Sequence, residues 1–401
     1  MIGLDRIQVG LAGCGSRGMS LMSDLLLDMK DMEIVAVCDD FEDRAEKAQA
    51  MVEKRTGKKP HAFKNYYDML ECNDVRAVLV VTPWETHIPY AIAAMEHGTP
   101  VGIEVGGASS LQECWDLVHT WEKTRTPFMF LENCCFGRTE LMVTNMVRQG
   151  LFGDIVHCAG AYAHDLRDEV AGGDVNHHYR LRHYRSRNCE NYPTHELGPI
   201  AKLLDINSGN RMLKLTSVAS MAAGMNAFGV DGKFNQGDVV NTIITCARGE
   251  SVMLTLDTTL PMYYCRDFTV RGTKGMYEER TNSIFIDGEH KDHFNWKPNW
   301  DNAEKYMDKY EHPVWEKFMN DGVTGGHGGM DGLVYGAFIK CLQNGWDMPI
   351  DVYDAAAWMA ITPLSEESIA NGSAPVAIPD FTSGRWMHKF DSMHEYAKKY
   401  L

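Results

Sequence analysis

The sequence predicts an α/β protein in two parts. An N-terminal, doubly wound parallel sheet is expected over residues 1–133, and a C-terminal α+β domain with an open, mostly antiparallel sheet over residues 134–401. Three observations predict it. A chain of 401 residues with 44% hydrophobic content is long for one core and comfortable for two. Up to Asn133, short apolar runs alternate with amphipathic stretches, as when each strand returns through a helix. Beyond it, long β-like runs follow one another without intervening helices, as antiparallel strands do.

The first strand, Ile7 to Ala12, runs into "GCGSRG", which sets Gly13, Gly15 and Gly18 at a G-x-G-x-x-G spacing before the amphipathic "MSLMSDLLLDM". One glycine permits the tight turn, one lets backbone approach a pyrophosphate, and one lets helix pack on strand; the helix N-terminus then presents free N–H groups to the phosphates. Ser16 and Arg17 belong to the same loop. A second strand, "EIVAVCDD", ends at Asp39, where a carboxylate accepts ribose hydroxyls. The pattern is that of a Rossmann dinucleotide-binding domain. Asp39 would repel the extra phosphate of NADP, so NAD is the expected cofactor, although Arg44 close behind would suit that phosphate.

The alternation continues. "AVLVVTPWETH" is a buried strand entering a turn, "HIPYAIAAMEHG" a helix closed by Gly98, and "PVGIEV" the next strand. Ser110 to Glu113 reads as a capping box opening a helix to Lys123, and "PFMFLEN" is one more strand. Ligands of such sheets gather at the carboxyl ends of the strands. Thr82, Pro83, Trp84, His87, Glu104 and Asn133 stand there and are the expected cofactor-side residues. His87 reads equally well as a plain helix-start residue.

In the second part, "RTELMVTNMVRQGLFG" is a helix ending at Gly150. The β-like runs follow: "DIVHCAGAYAHD", "MLKLTSVASM", "DVVNTIITCAR", "SVMLTLDTTL" and "RDFTVRGTKGMY". An open sheet needs both faces covered, one by helices and the other by a partner subunit, so a homo-oligomer is expected. A long polar insertion rich in His, Arg, Tyr and Asn separates the first run from the second, a usual place for function. Its histidines, among them His164, His177, His178 and His183, fit no compact metal motif, and no metal site is expected. Tyr192 and His195 open the helix "HELGPIAKLLD". There the helix dipole would lower the imidazole pKa and leave a neutral base, or His195 would simply cap the helix. His327 lies in the glycine-rich "TGGHGGMD", a loop able to approach a ligand closely or to be mobile.

A formal net charge of −16 repels phosphate backbones and anionic lipid, so neither nucleic acid nor a membrane is an expected partner. The 11 cysteines form no CxxC pair and read as reduced, mostly buried thiols. No signal peptide and no apolar run of membrane-spanning length stand out, and the cytoplasm is the expected compartment.

The blocks "GLAGCGSRG", "VVTPWETH", "GIEV" and "NYPTHELGP" resemble the Gfo/Idh/MocA group of two-domain nicotinamide proteins along essentially the whole chain. "GIEVGGASSLQECWDLV", "FMFLENCCFGR", "QGLFGDIVHCAGAYAHDLR" and "DVYDAAAWMAITPLSEESI" resemble its glycoside hydrolase family 109 branch, which contains NAD-dependent α-N-acetylgalactosaminidases. The resemblance implies a small glycoside substrate and bound NAD that transiently oxidises sugar carbon 3. Aglycone elimination, water addition and re-reduction follow, with no net redox; NAD-dependent glycosidases are a known exception to two-carboxylate hydrolysis. It further implies His195 and Tyr192 as proton-moving groups, with Arg182, Tyr184, His327 and Glu104 gripping the sugar or stabilising its enolate. Two departures separate the chain from dehydrogenases of the group: Val105 stands where they carry lysine, and Asn191 where they carry aspartate. A third departs from the branch itself, where Phe136 replaces a common tyrosine. An NAD-dependent sugar or inositol dehydrogenase, and a non-catalytic nucleotide-sensing protein, remain the competing readings.

Overall fold

A computed structural model describes residues 6–400. Six parallel strands form the first sheet: β1 (Ile7–Ala12), β2 (Met32–Cys38), β3 (His61–Phe63), β4 (Ala77–Val80), β5 (Val101–Ile103) and β6 (Phe128–Phe130). Their order is β3-β2-β1-β4-β5-β6, so the direction of winding reverses between β1 and β4 and opens a crevice at their carboxyl ends. β4 and β5 are buried at every position, as strands covered on both faces must be. β3 escapes sequence reading because "HAF" is three residues long and largely exposed at the sheet edge.

The second sheet has eight strands: β7 (Ile155–Ala163), β8 (Met212–Ala219), β9 (Val239–Cys246), β10 (Ser251–Asp257), β11 (Thr269–Gly272), β12 (Gly275–Glu278), β13 (Ser283–Ile286) and β14 (Val376–Ala377). Their order is β13-β12-β11-β7-β10-β9-β8-β14. Every pairing is antiparallel except β7 with β10, which the long polar insertion makes possible. The single run expected over "RDFTVRGTKGMY" is a hairpin, β11 and β12, because the chain reverses after Gly272.

One face of this sheet is covered by helices Thr194–Leu203 and Ile361–Ala370. Gly160 in β7 makes the first of these contacts possible: a Cβ there would lie 2.7 Å from that of Glu196. The other face leaves Val218, Ile243 and Met253 exposed. The polar insertion contains the short helices Arg167–Ala171, Gly173–Asn176 and Tyr179–Ser186. Helices Met330–Asn344 and Val352–Met359 return to the first sheet, where Phe130 and Ala108 N–H groups donate to the carbonyls of Ile350 and Met359. Residues far apart in the chain therefore meet at the carboxyl ends of β5 and β6. No described helix is long and apolar enough to cross a membrane.

Candidate active site

The glycine loop has the shape a dinucleotide requires. Gly13 has φ 96°, and a Cβ on it would lie 2.4 Å from the Val81 carbonyl oxygen. A Cβ on Gly18 would lie 2.0 Å from the Gly13 carbonyl, so the helix Ser16–Asp24 can pack this closely only without a side chain there. Gly15 is different: the nearest atom to a Cβ on it would be an Arg44 nitrogen at 3.7 Å, which leaves space for a pyrophosphate rather than for packing. Asp39 ends β2 with Oδ2 accepting from Cys14 N–H at 2.8 Å and Oδ1 from Phe41 N–H at 3.0 Å, which fixes the carboxylate at the rim. These residues fit bound NAD.

The "EVGG" segment is shaped by packing. Val105 is buried, and a Cβ on Gly106 would lie 2.3 Å from the Trp84 indole. The Trp84 ring thus closes against the backbone at Gly106, directly after Val105. That ring lies 4.7 Å from Tyr179 and 5.5 Å from Tyr192, with the Arg180 guanidinium 5.3 Å away. His87 is fully buried beneath the loop, where its Nε2 pairs with the Thr82 carbonyl at 2.7 Å and burial pushes its pKa down to about 4. It holds the Thr82 carbonyl at the start of the helix Trp84–His97, in keeping with the helix-start reading.

Two buried carboxylates stand one strand apart. Glu104, after β5, accepts from Arg17 at 2.8 and 3.0 Å and from the Tyr335 hydroxyl at 2.8 Å. Arg17 also donates to Asp331, which accepts from Asn133 Nδ2 and pairs with His327 Nδ1, at 2.8 and 2.9 Å. The loop residue Arg17 is therefore tied to two carboxylates, and Asn133 and His327 join the same network. The His327 side chain is half exposed; with Arg138, Glu140 and Trp315 it lines a cavity of about 410 Å³.

Glu132, after β6, instead meets His195. Its Oε1 accepts from His195 Nδ1 at 2.7 Å and from Cys134 N–H at 3.1 Å. Burial alone would lower the imidazole pKa, but the neighbouring Cys134 and Glu132 together raise it well above the usual histidine value. This departs from the neutral imidazole expected at a helix start: with Cys134 and Glu132 beside it, the pKa of His195 is shifted up and not down. The Tyr192 hydroxyl lies 3.4 Å from His195 Nε2, and burial keeps it protonated. The Tyr162 and Tyr192 rings are 4.5 Å apart, and Tyr162 continues to His164 Nδ1 at 3.4 Å. Burial and then the Arg180 charge push the His164 pKa down. Asn191 turns away, bonded to Gln236 and Cys189, so the carboxylate that orients His195 comes from β6 and not from the preceding turn.

The insertion lies over the crevice as a strap. His177 stacks on Phe41 at 4.4 Å, Arg44 donates to the Asn176 carbonyl at 2.6 Å, and Glu85 pairs with Arg182 and His183. Strap residues, with Asp40, Phe41 and Pro83, enclose about 550 Å³. Arg182 borders this cavity and pairs with Glu85. Tyr184, expected to grip the sugar, is wholly buried, with its hydroxyl 2.8 Å from Thr258 Oγ1. Arg180, unremarked in the sequence, is the buried cation among Trp84, Tyr179 and Tyr192, paired with Glu169. Glu132, Cys134 and Tyr162 were also missed. The signal for Glu132 was its place beside Asn133 at a strand end.

The family model described as "Glycosyl hydrolase 109, C-terminal domain" matches residues 136–388, and "Oxidoreductase family, NAD-binding Rossmann fold" matches residues 7–131. A glycosyl hydrolase family 109 protein of Stenotrophomonas maltophilia is 38% identical, covering 96% of this chain and 91% of that protein. An alpha-N-acetylgalactosaminidase of Tannerella forsythia is 37% identical, covering 96% and 88%. Among solved structures, a levoglucosan dehydrogenase complexed with NADH and levoglucosan superposes with a TM-score of 0.68 at 16% identity, covering 94% of this chain and all of that one. The WlbA dehydrogenase of Bordetella pertussis, complexed with NADH and UDP-GlcNAcA, gives 0.67 at 16% identity, covering 95% and 100%. At that identity the likeness is one of fold.

Proposed function

The chain belongs to glycosyl hydrolase family 109, and from that membership and the site's geometry we propose that it is an NAD-dependent glycosidase that retains its cofactor through the cycle. One observation carries the reading: His195 and His164 flank a single cluster of tyrosine rings, and their surroundings push their pKa values in opposite directions, up for His195 and down for His164. Groups driven apart in this way are an acid and a base prepared together. Bound NAD supplies the hydride acceptor and donor at sugar carbon 3, which acidifies the carbon-2 hydrogen so that the anomeric substituent can leave before water adds.

The chain's own groups then divide as follows. Gly13, Gly15 and Gly18 receive the pyrophosphate, Asp39 the ribose, and the strap closes over them. His164, neutral, draws a proton through the Tyr162 hydroxyl. His195 donates from Nε2 through Tyr192, and Glu132 keeps the imidazolium formed and oriented. A cation fixed beside the pocket also stabilises the oxyanion that develops on the sugar. With position 105 apolar, no lysine competes for these roles.

An α-N-acetylgalactosaminide is the substrate suggested by the named relatives. We further infer that a second copy covers the outer sheet face, since Ile243 and Met253 are paired in register there and left exposed with Val218. The unpaired cysteines suit a reducing, cytoplasmic setting. The test is a panel of aryl α- and β-glycosides and free sugars, following aglycone and NADH together. Aglycone release without accumulating NADH is expected. Stoichiometric NADH from a free sugar would overturn the reading in favour of a dehydrogenase.

A further inference from the structure

Glu132, Cys134 and His195 have a second property that proton transfer does not use. Each offers one ligand atom, and the three atoms lie within 4.8 Å of one another. A carboxylate oxygen, a thiol sulfur and an imidazole nitrogen are the donor set of a zinc-class ion; oxygen-only sets suit magnesium or calcium. Donors on a tetrahedral ion with bonds of about 2.0–2.3 Å lie roughly 3.5 Å apart, so the trio needs only a small contraction to enclose one. A separate observation points the same way. Glu132 is wholly buried, and its Oε2 has no hydrogen-bond partner among the described residues. A buried carboxylate oxygen without a donor is an unmet demand for positive charge. The sequence hides the trio because two members sit in the turn after β6 and the third on the distant helix Thr194–Leu203.

We propose that Glu132, Cys134 and His195 form an inhibitory binding site for a soft divalent cation of the zinc class. On binding, the Cys134 thiol gives its proton to solvent and its sulfur ligates the ion. His195 releases the proton from its ligating nitrogen, and Glu132 exchanges the imidazole for the metal. The trio supplies three ligands and leaves the fourth position of a tetrahedral ion to water or a sugar hydroxyl. The ion thereby takes the place of the Nδ1 proton and leaves His195 a neutral ligand, whose Nε2–H is a far weaker acid than that of the imidazolium. That it inhibits rests on the role given above to His195; that it binds does not.

Co²⁺ titration tests the site directly, because a thiolate ligand adds a near-ultraviolet charge-transfer band to the visible spectrum of a tetrahedral ion. The NAD-loaded protein carries Cys72→Ser, which disables the exposed His61, Cys72 and Asp74 group on the first domain. One equivalent of Co²⁺ is expected to produce the band, and Zn²⁺ to abolish it. Adding Cys134→Ser removes the band, and His195→Gln, a second variant, removes the tetrahedral spectrum; circular dichroism and retained NAD check that both fold. Zn²⁺ is expected to suppress aglycone release, to be reversed by a chelator, and to lose potency at least tenfold in Cys134→Ser. Absence of the band, or its survival without Cys134, overturns the site. A band with undiminished aglycone release overturns the inhibition. If no glycoside is cleaved at all, the glycosidase reading fails while the cobalt spectrum still decides whether the trio binds metal.

Discussion

Glu104 and Glu132 occupy equivalent places, each buried just past the carboxyl end of one of two adjacent parallel strands, yet they do different work. Glu104 faces Arg17, whose charge is permanent, together with Tyr335, so its neighbourhood is fixed and holds the glycine loop against helix Met330–Asn344. Glu132 faces His195, whose charge can move, and the packed rings of Tyr192 and Tyr162 lie beyond. The same strand-end position becomes a clamp or a proton site according to the titratability of its partner. Each carboxylate can be tested by breaking its pair.

The largest effect is expected on the mobile side. His195→Ala should lower kcat/KM for an aryl glycoside by about a hundred- to ten-thousandfold while NAD remains bound. Unaltered turnover would remove His195 from proton transfer. Glu132→Gln keeps an acceptor but removes the charge, and should cost about ten- to hundredfold. It also makes a signed prediction. Glu132 raises the His195 pKa, so the protonated, active form is lost as pH rises through that raised value. In the glutamine variant the alkaline limb of the kcat/KM profile should move to lower pH. The acid limb, set by His164 gaining a proton as pH falls through its lowered value, should stay in place. Movement of both limbs together would show that the two histidines do not act separately.

On the fixed side the expected loss is stability. Arg17→Met strands Glu104 and Asp331 as buried charges, at a cost of about 3 kcal/mol in urea unfolding. The Asp331 carboxyl, although burial raises it, is held well below its usual value by His327 and Arg17. Its stabilisation is therefore complete above the ordinary aspartate pKa and disappears as pH falls through the depressed value. The wild-type advantage over Arg17→Met should shrink in acid. A constant difference would mean that the Arg17 pairs contribute little.

The glycine loop was legible in the sequence, the clamp behind it was not, and the proton site was legible only in part. Gly13, Gly15, Gly18 and Asp39 follow from local spacing, because a phosphate-binding turn is built from neighbouring residues. His195 and Tyr192 share one helix start and could be read together. Glu132 and Tyr162 reach them from β6 and β7, and no local period encodes a contact between distant strands. Arg180 went unremarked beside Arg182 because both lie in one basic run; a short helix decides which is buried, and the polar composition concealed that helix. The neutral imidazole expected for His195 failed for the same reason. The helix dipole was visible from sequence, and the carboxylate that outweighs it was not.

The smallest effect is expected at Phe136, where sequence comparison suggested a missing phenol in the site. The residue follows Cys134 by two positions, yet its side chain leaves the pocket. It is wholly buried, with its ring edge-on to Tyr396 at 6.3 Å, and its carbonyl accepts from Trp315 Nε1 at 2.7 Å. Phe136→Tyr would put a hydroxyl into packed apolar surroundings beside a Tyr396 hydroxyl that already lacks a partner. The expected cost is about 1–2 kcal/mol in unfolding, with kcat/KM and the positions of both pH limbs unchanged. A gain in turnover would place the phenol in the pocket and contradict the packing. A loss of stability alone would show that a position two residues from the proton site belongs to the core, because the turn after β6 sends Cys134 toward His195 and Phe136 toward the helix Ser392–Tyr400.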